Sequence, residues 1–254
     1  MSRVVIAACF LAVSLACGSG HAVTVTDIEA FSRIADRYVL AVEVGTPGQD
    51  DYQFIYSDKS GHVHVYAMDD GALKMTWEVT TLGSRASSII VADLYGDGKL
   101  QLLICSVAGR VLIYDLATYE LDWENQQLRY NRVDHMAAAQ LDGDRQLEVV
   151  ILADDRLFIF DGYNRNVQWS STTNMIANFV VIGNVDDDPQ PEIVLNSGII
   201  VDSRFFNIQF QTDQVFGDRL ALADLTGDGF PEVIGEFADR SLRVFDVWRG
   251  REVW

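Results

Sequence analysis

Four short stretches carry carboxylates at alternating positions, and that spacing suits a hard cation. They begin at Asp93, Gln140, Asn184 and Asp224 and run nine residues each. Side chains at positions 1, 3, 5 and 9 can turn oxygens inward, while position 7 offers a carbonyl. Calcium takes six to eight oxygens at about 2.3–2.6 Å, so one bent loop can supply most of a shell. Asn184, Asp186, Asp188 and Glu192 fill all four side-chain positions. Asp224, Asp228 and Glu232 form a second set, with Thr226 at position 3. Asp142, Asp144 and Glu148 form a third, in which Gln140 weakens position 1. Asp93 and Asp97 lead the fourth, where Tyr95 and Gln101 leave a poor charge complement. A stretched segment with Glu43 and Asp51 stands where an earlier loop is due but has no clear register. The competing reading of all these stretches is metal-free Asp/Gly turns fixed by side-chain-to-backbone hydrogen bonds.

The loops recur at intervals of 47, 44 and 40 residues. A second landmark recurs with them, an aspartate followed eight residues later by an aromatic. The pairs are Asp69/Trp77, Asp115/Trp123, Asp161/Trp169, Asp202/Phe210 and Asp246/Trp254. A repeat of about 44 residues points to a solenoid, propeller or array. Within each unit the apolar runs are short, β-branched and aromatic, and Gly, Asp and Asn separate them, so they read as strands. Four such runs per unit is the arithmetic of a propeller blade. The expected fold is therefore all-β, a β-propeller of five blades with about four antiparallel strands each. The blades are drawn at 38–80, 86–126, 134–172, 177–213 and 217–254. The fourth is short, because Glu192 and Asp202 lie only 10 residues apart where other blades have 13 or 14. The repeated aromatics are read as packing between neighbouring sheets, with Trp248 out of phase and facing solvent or a partner.

The segments Asp224-Leu225-Thr226-Gly227-Asp228-Gly229-Phe230-Pro231-Glu232 and Asn184-Val185-Asp186-Asp187-Asp188-Pro189-Gln190-Pro191-Glu192 resemble FG-GAP/VCBS-type repeats, the calcium-binding blades also found in integrin α-subunit propellers. The resemblance covers residues 38–254. It implies Ca²⁺ on Asn184, Asp186, Asp188 and Glu192, and on Asp224, Asp228 and Glu232. It carries imperfectly to Asp142, Asp144 and Glu148. Blade ends such as Val111 to Asp115 followed by Trp123 are also similar to quinoprotein-type propeller repeats. Such families commonly have seven or eight blades, so five is a departure. Many members serve adhesion, scaffolding or glycan recognition.

Residues 1–22 read as an export signal, with Arg3 before an apolar run from Val4 to Ala16 and cleavage near Ala22. A lipoprotein signal ending at Cys17 is the alternative, and membrane contact is expected only in that case. Residues 23–37 contain a possible ring-closing strand at Val23 to Thr26, then helical turns over Asp27 to Asp36 capped by Thr26. Cutting after residue 22 removes Arg3 and no acid, taking the formal charge from -18 to -19. That charge repels nucleic acid. Cys105 would then be the sole cysteine, and it sits in an apolar run as a core residue.

Catalytic signals are weak. His62 and His64 alternate on a strand and face one side, but no third metal partner has diagnostic spacing. Asp134-His135 resembles part of an acid/base pair, without a nucleophile in a recognisable elbow. Arg129 and Tyr130, between two blades, are candidates for a recognition loop. The functional expectation is an exported, secreted or periplasmic, calcium-stabilised binding or assembly module for a protein or a glycan. The alternative is a polysaccharide lyase or hydrolase using surface carboxylates.

Overall fold

A computed structural model describes residues 4–5, 35–44, 51–69, 72–127 and 129–254. Every regular element among the described residues is a strand. The first sheet comprises β1 (Val4–Val5), β2 (Ala35–Glu43), β3 (Tyr52–Asp58), β4 (Val63–Asp69) and β5 (Ala72–Val79). The second comprises β6 (Ala86–Ala92), β7 (Gln101–Ser106), β8 (Val111–Asp115) and β9 (Leu121–Glu124). The third comprises β10 (Val133–Ala139), β11 (Glu148–Ala153), β12 (Arg156–Asp161) and β13 (Val167–Ser170). The fourth comprises β14 (Val180–Gly183), β15 (Glu192–Leu195), β16 (Ile199–Asp202) and β17 (Ile208–Gln211). The fifth comprises β18 (Arg219–Ala223), β19 (Glu232–Glu236), β20 (Leu242–Asp246) and β21 (Arg251–Glu252).

Each sheet is an antiparallel meander in chain order. The five four-stranded repeats are the expected propeller blades, the first carrying β1 as an additional strand beside β2. β2 begins at Ala35, so the helical turns expected up to Asp36 give way to strand at their end. The rest of that segment, the closing strand at 23–26 and the loop interior at 45–50 lie outside the described residues, as does Leu128.

Two compact units divide the chain. The first holds residues 1–92 and 100–129, hence the first two sheets. Its core joins Leu40, Ile55, Val65 and Val79 to Ile89, Leu102, Ile104 and Leu112, all buried. The second unit holds residues 93–99 and 130–254, hence the last three sheets. One of its cores joins Val150, Leu152 and Ile159 to Ile193, Leu195 and Val201. Another joins Val194 and Ile200 to Phe216, Val233 and Phe245.

Burial follows strand position. β7, β11 and β15 are buried along their whole length, on both faces. That is why Leu102-Leu103-Ile104-Cys105 reads as a continuous apolar run instead of an alternating one. Cys105 is buried, and burial pushes its thiol pKa up, as befits a core residue. The fourth strands β9, β13 and β17 are largely exposed.

The Asp–aromatic landmark has a clear local cause. Asp115, Asp161, Asp202 and Asp246 each end the third strand of a sheet, and the Oδ1 of each accepts backbone N–H from the following turn. Asp115 takes Ala117 and Thr118 at 2.9 and 2.8 Å, and Asp161 takes Tyr163 and Asn164 at 2.8 and 2.9 Å. Asp202 takes Arg204 and Phe205, both at 2.8 Å. The residue four places after the aspartate has a left-handed φ in each case, 59° at Tyr119, 64° at Arg165, 51° at Phe206 and 63° at Gly250. Tyr119 stacks on Trp77 at 5.1 Å, and Phe206 stacks on Trp169 at 5.6 Å. Both contacts tie one sheet to the next within a unit. Trp254 departs from this pattern. It lies two residues past β21 and is 72% exposed, so it is not a packing residue. Trp248 is 47% exposed and leans on Phe230 at 5.3 Å.

Candidate metal loops

Each acidic loop joins the first strand of a sheet to its second. The residue at position 9 therefore opens the most buried strand. Glu148, Glu192 and Glu232 are all about fully buried, at 1%, 0% and 1% exposure. Their Oε2 atoms accept the N–H at position 2, from Leu141 at 2.6 Å, Val185 at 2.8 Å and Leu225 at 2.7 Å. One glutamate thus closes each loop across its mouth.

The structure brings together Asp142, Asp144 and Glu148, then Asp186, Asp188 and Glu192, then Asp224, Asp228 and Glu232. In each set the oxygens lie within 4.8 Å of one another. Such oxygen clusters can coordinate a divalent cation. Glu148 Oε1 and Glu192 Oε1 are buried and have no hydrogen-bond partner among the described residues. Burial, opposed by the loop N–H and reinforced by the neighbouring aspartates, pushes both carboxyls up to about 7. A cation placed among these oxygens would satisfy the orphaned Oε1 and offset the mutual repulsion, so the residues fit one.

The loops differ in what already sits inside them. In 140–148 the Gln140 amide nitrogen points to Asp142 Oδ1 at 3.4 Å, Asp144 Oδ1 at 3.4 Å, Asp144 O at 3.0 Å and Gln146 O at 3.1 Å. Those are the groups at positions 3, 5 and 7, so the amide stands at their point of convergence. In 184–192 the Asn184 amide donates to Asp188 O, and its Oδ1 accepts Asp186 N at 3.3 Å. Gln209 donates to Asp186 Oδ2. In 224–232 Asp224 accepts Gly227 N and Gly229 N at 2.7 and 3.0 Å. Thr226 Oγ1 donates to Glu232 Oε1 at 3.0 Å. Arg249 Nη1 bridges Asp228 Oδ2 at 2.8 Å and the buried Asp246 Oδ2 at 2.7 Å. The Phe230 N–H and this guanidinium hold the Asp228 carboxyl below the usual carboxylate range.

The loop at 93–101 gathers no acid triad among the described residues. Asp93 accepts Asp97 N and Gly98 N at 3.1 and 2.8 Å, an ordinary side-chain-stabilised turn. Tyr95 accepts a hydrogen bond from Arg165, whose guanidinium lies 5.1 Å over its ring, and Arg145 donates to Gly96 O at 2.9 Å. Protein cations therefore surround this loop.

Other candidates are structural. Asp134 pairs with Arg132 at 2.9 Å, while His135 is buried and stacks on Phe179 at 3.9 Å. Asp134 is thus engaged by a guanidinium, and His135 by the Phe179 ring and the Val180 N–H at 3.4 Å. Arg129 is exposed, and Tyr130 is half-buried with its ring 5.1 Å from that of Phe158.

With this geometry in view, comparison with solved structures returns β-propeller-like folds. Saccharomyces cerevisiae Sqt1 superposes with a TM-score of 0.59 and 14% identity, over 80% of this chain and 57% of that one. The V. cholerae biofilm matrix protein Bap1 gives 0.56 and 18%, over 83% and 35%. BBS1N, solved in complex with ARL6DN and soaked with lead, gives 0.58 and 10%, over 85% and 66%. The likeness is one of fold. The chain spans less than two thirds of the length of each of these three chains. No protein-family model matches the chain, and no curated protein does.

Proposed function

We propose that this chain is a calcium-stabilised β-propeller of the FG-GAP/VCBS type, acting as a non-enzymatic binding or assembly module of an exported protein. The observation that carries the calcium reading is the orphaned Oε1 of Glu192, buried beside Asp186 and Asp188. Oxygen-only donors and a bent backbone favour calcium over softer ions. Loop 184–192 is the first site in this reading, and 224–232 the second. The cation is structural, because the glutamate that would hold it also closes the loop.

The binding role draws on two neighbours. One is described as a biofilm matrix protein and another was solved in complex with a partner. The acids support it as well, since they are committed to their own loop backbones. A protein or a glycan is the partner class. Export rests on the apolar leader at residues 1–22, with a lipid anchor at Cys17 as the variant form.

Calcium titration by calorimetry tests the first claim. Asp186→Ala is expected to lower calcium affinity at least tenfold and to reduce the rise in melting temperature on adding calcium. Unchanged binding in that variant refutes it. Capture of polysaccharides and matrix proteins by purified protein, with turnover assayed on the same glycans, tests the second. Product formation would overturn it.

A further inference from the structure

The first sheet carries a cluster of a different chemistry. Asp58 ends β3, His62 precedes β4 and His64 lies within it, so one tight hairpin presents all three. Asp58 Oδ1 is committed to the turn, accepting Ser60 N at 2.8 Å and His62 N at 3.0 Å. Gly61 gives that turn its shape, with φ at 86° and a Cβ position that would stand 2.4 Å from Ser84 O. The other oxygen, Oδ2, faces the imidazoles, 3.1 Å from His64 Nε2 and 3.7 Å from His62 Nδ1.

We propose that Asp58, His62 and His64 form a site for one borderline divalent transition cation, of which Zn²⁺ is the type. Two imidazoles and one carboxylate are a zinc donor set, and they leave a fourth position open. Donors about 2.1 Å from a tetrahedral ion stand about 3.4 Å apart, and the observed separations bracket that value. The three donor atoms lie within 4.8 Å of one another.

The surroundings match a metal-bound histidine. His64 directs Nε2 toward Asp58, and its Nδ1 is buried, without a hydrogen bond among the described residues, 3.5 Å from Glu78 Oε2. A shift of a few tenths of an ångström would let Nδ1–H donate to Glu78, and an outer carboxylate of that kind fixes the tautomer and raises ligand basicity. Tyr56 stacks on the His64 ring at 4.9 Å and fixes its plane. His62 is 39% exposed, so the ion has access from solvent. This site is separate from the oxygen loops and stands or falls independently of the calcium reading.

Zn²⁺ is titrated into the full-length chain against a chromophoric chelator, with millimolar calcium present to fill oxygen sites. One equivalent is expected to bind, at about micromolar Kd or tighter. Co²⁺ in its place should give the visible bands of a tetrahedral centre. His62→Gln, at a half-exposed position that leaves the hairpin turn intact, should weaken Zn²⁺ at least tenfold and abolish those bands. Glu78→Gln should weaken Zn²⁺ by about 10–100-fold while keeping the bands. Zn²⁺ binding that is absent below 100 µM, or unchanged in His62→Gln with circular dichroism preserved, overturns the assignment.

Discussion

The buried glutamates make the metal-free fold sensitive to pH in a defined direction. Glu148 and Glu192 titrate near 7 in the folded chain, against an ordinary 4.5. The native state then binds protons more tightly than the unfolded state, so stability falls as pH rises from 4.5 to 7 and levels off above. At about 1.4 kcal/mol per pH unit, each glutamate contributes about 3 kcal/mol of loss. Between pH 5 and pH 8 the two together account for about 5 kcal/mol. For a chain of this size that is a drop of about 10–20 °C in melting temperature. The assay is thermal unfolding in chelator at pH 5, 6, 7 and 8, repeated with millimolar calcium. Calcium should remove about half of the slope, because a cation bound in 184–192 lets Glu192 stay charged while Gln140 keeps the loop around Glu148 closed to it. Glu192→Gln keeps an acceptor for Val185 N and should remove about half of the slope in chelator. Equal melting temperatures at pH 5 and pH 8 in chelator, or an unaltered slope in Glu192→Gln, would refute this reasoning.

Three further outcomes are expected. Gln140→Asp replaces the amide that stands among Asp142, Asp144 and Gln146 with a fourth oxygen donor, and should add one calcium equivalent by calorimetry. Trp169→Ala removes the stack on Phe206 and should cost about 2–4 kcal/mol in denaturant unfolding, whereas Trp254→Ala, at an exposed position, should stay within about 0.5 kcal/mol. Arg249→Met leaves the buried Asp246 without its guanidinium and should destabilise the metal-free chain by about 1–3 kcal/mol, while freeing Asp228 and tightening calcium at 224–232.

The repeat was legible because its residues answer to local physics. Asp115, Asp161 and Asp202 recur since each caps the turn after a third strand. Trp77 and Trp169 recur since each receives a stacking partner from the next sheet. The position-9 glutamates recur since each closes a loop while opening a buried strand. What spacing could not show is partnership at long range. Arg165 reaches Tyr95 across 70 residues, and Glu78 comes behind His64 only through strand pairing. Asp58 joins the histidines through a turn, which no strand period reveals. Gln140 read as a weak ligand, yet its amide nitrogen occupies the centre that a charged side chain would leave to an ion. Trp254 kept the aromatic phase but lost its packing, since β21 is only two residues long.

The hydrogen bonds that shape each loop and turn close over short sequence distances. Position-9 glutamates reach back seven residues, and the turn aspartates reach forward two or three. Contacts so near in sequence cost little loop entropy and form early. Individual sheets can therefore assemble before their neighbours dock, with inter-sheet stacks such as Trp169 on Phe206 arriving late. Pulse-labelled hydrogen exchange during refolding should protect the Val185 amide together with β14 and β15, ahead of full fluorescence change at Trp169.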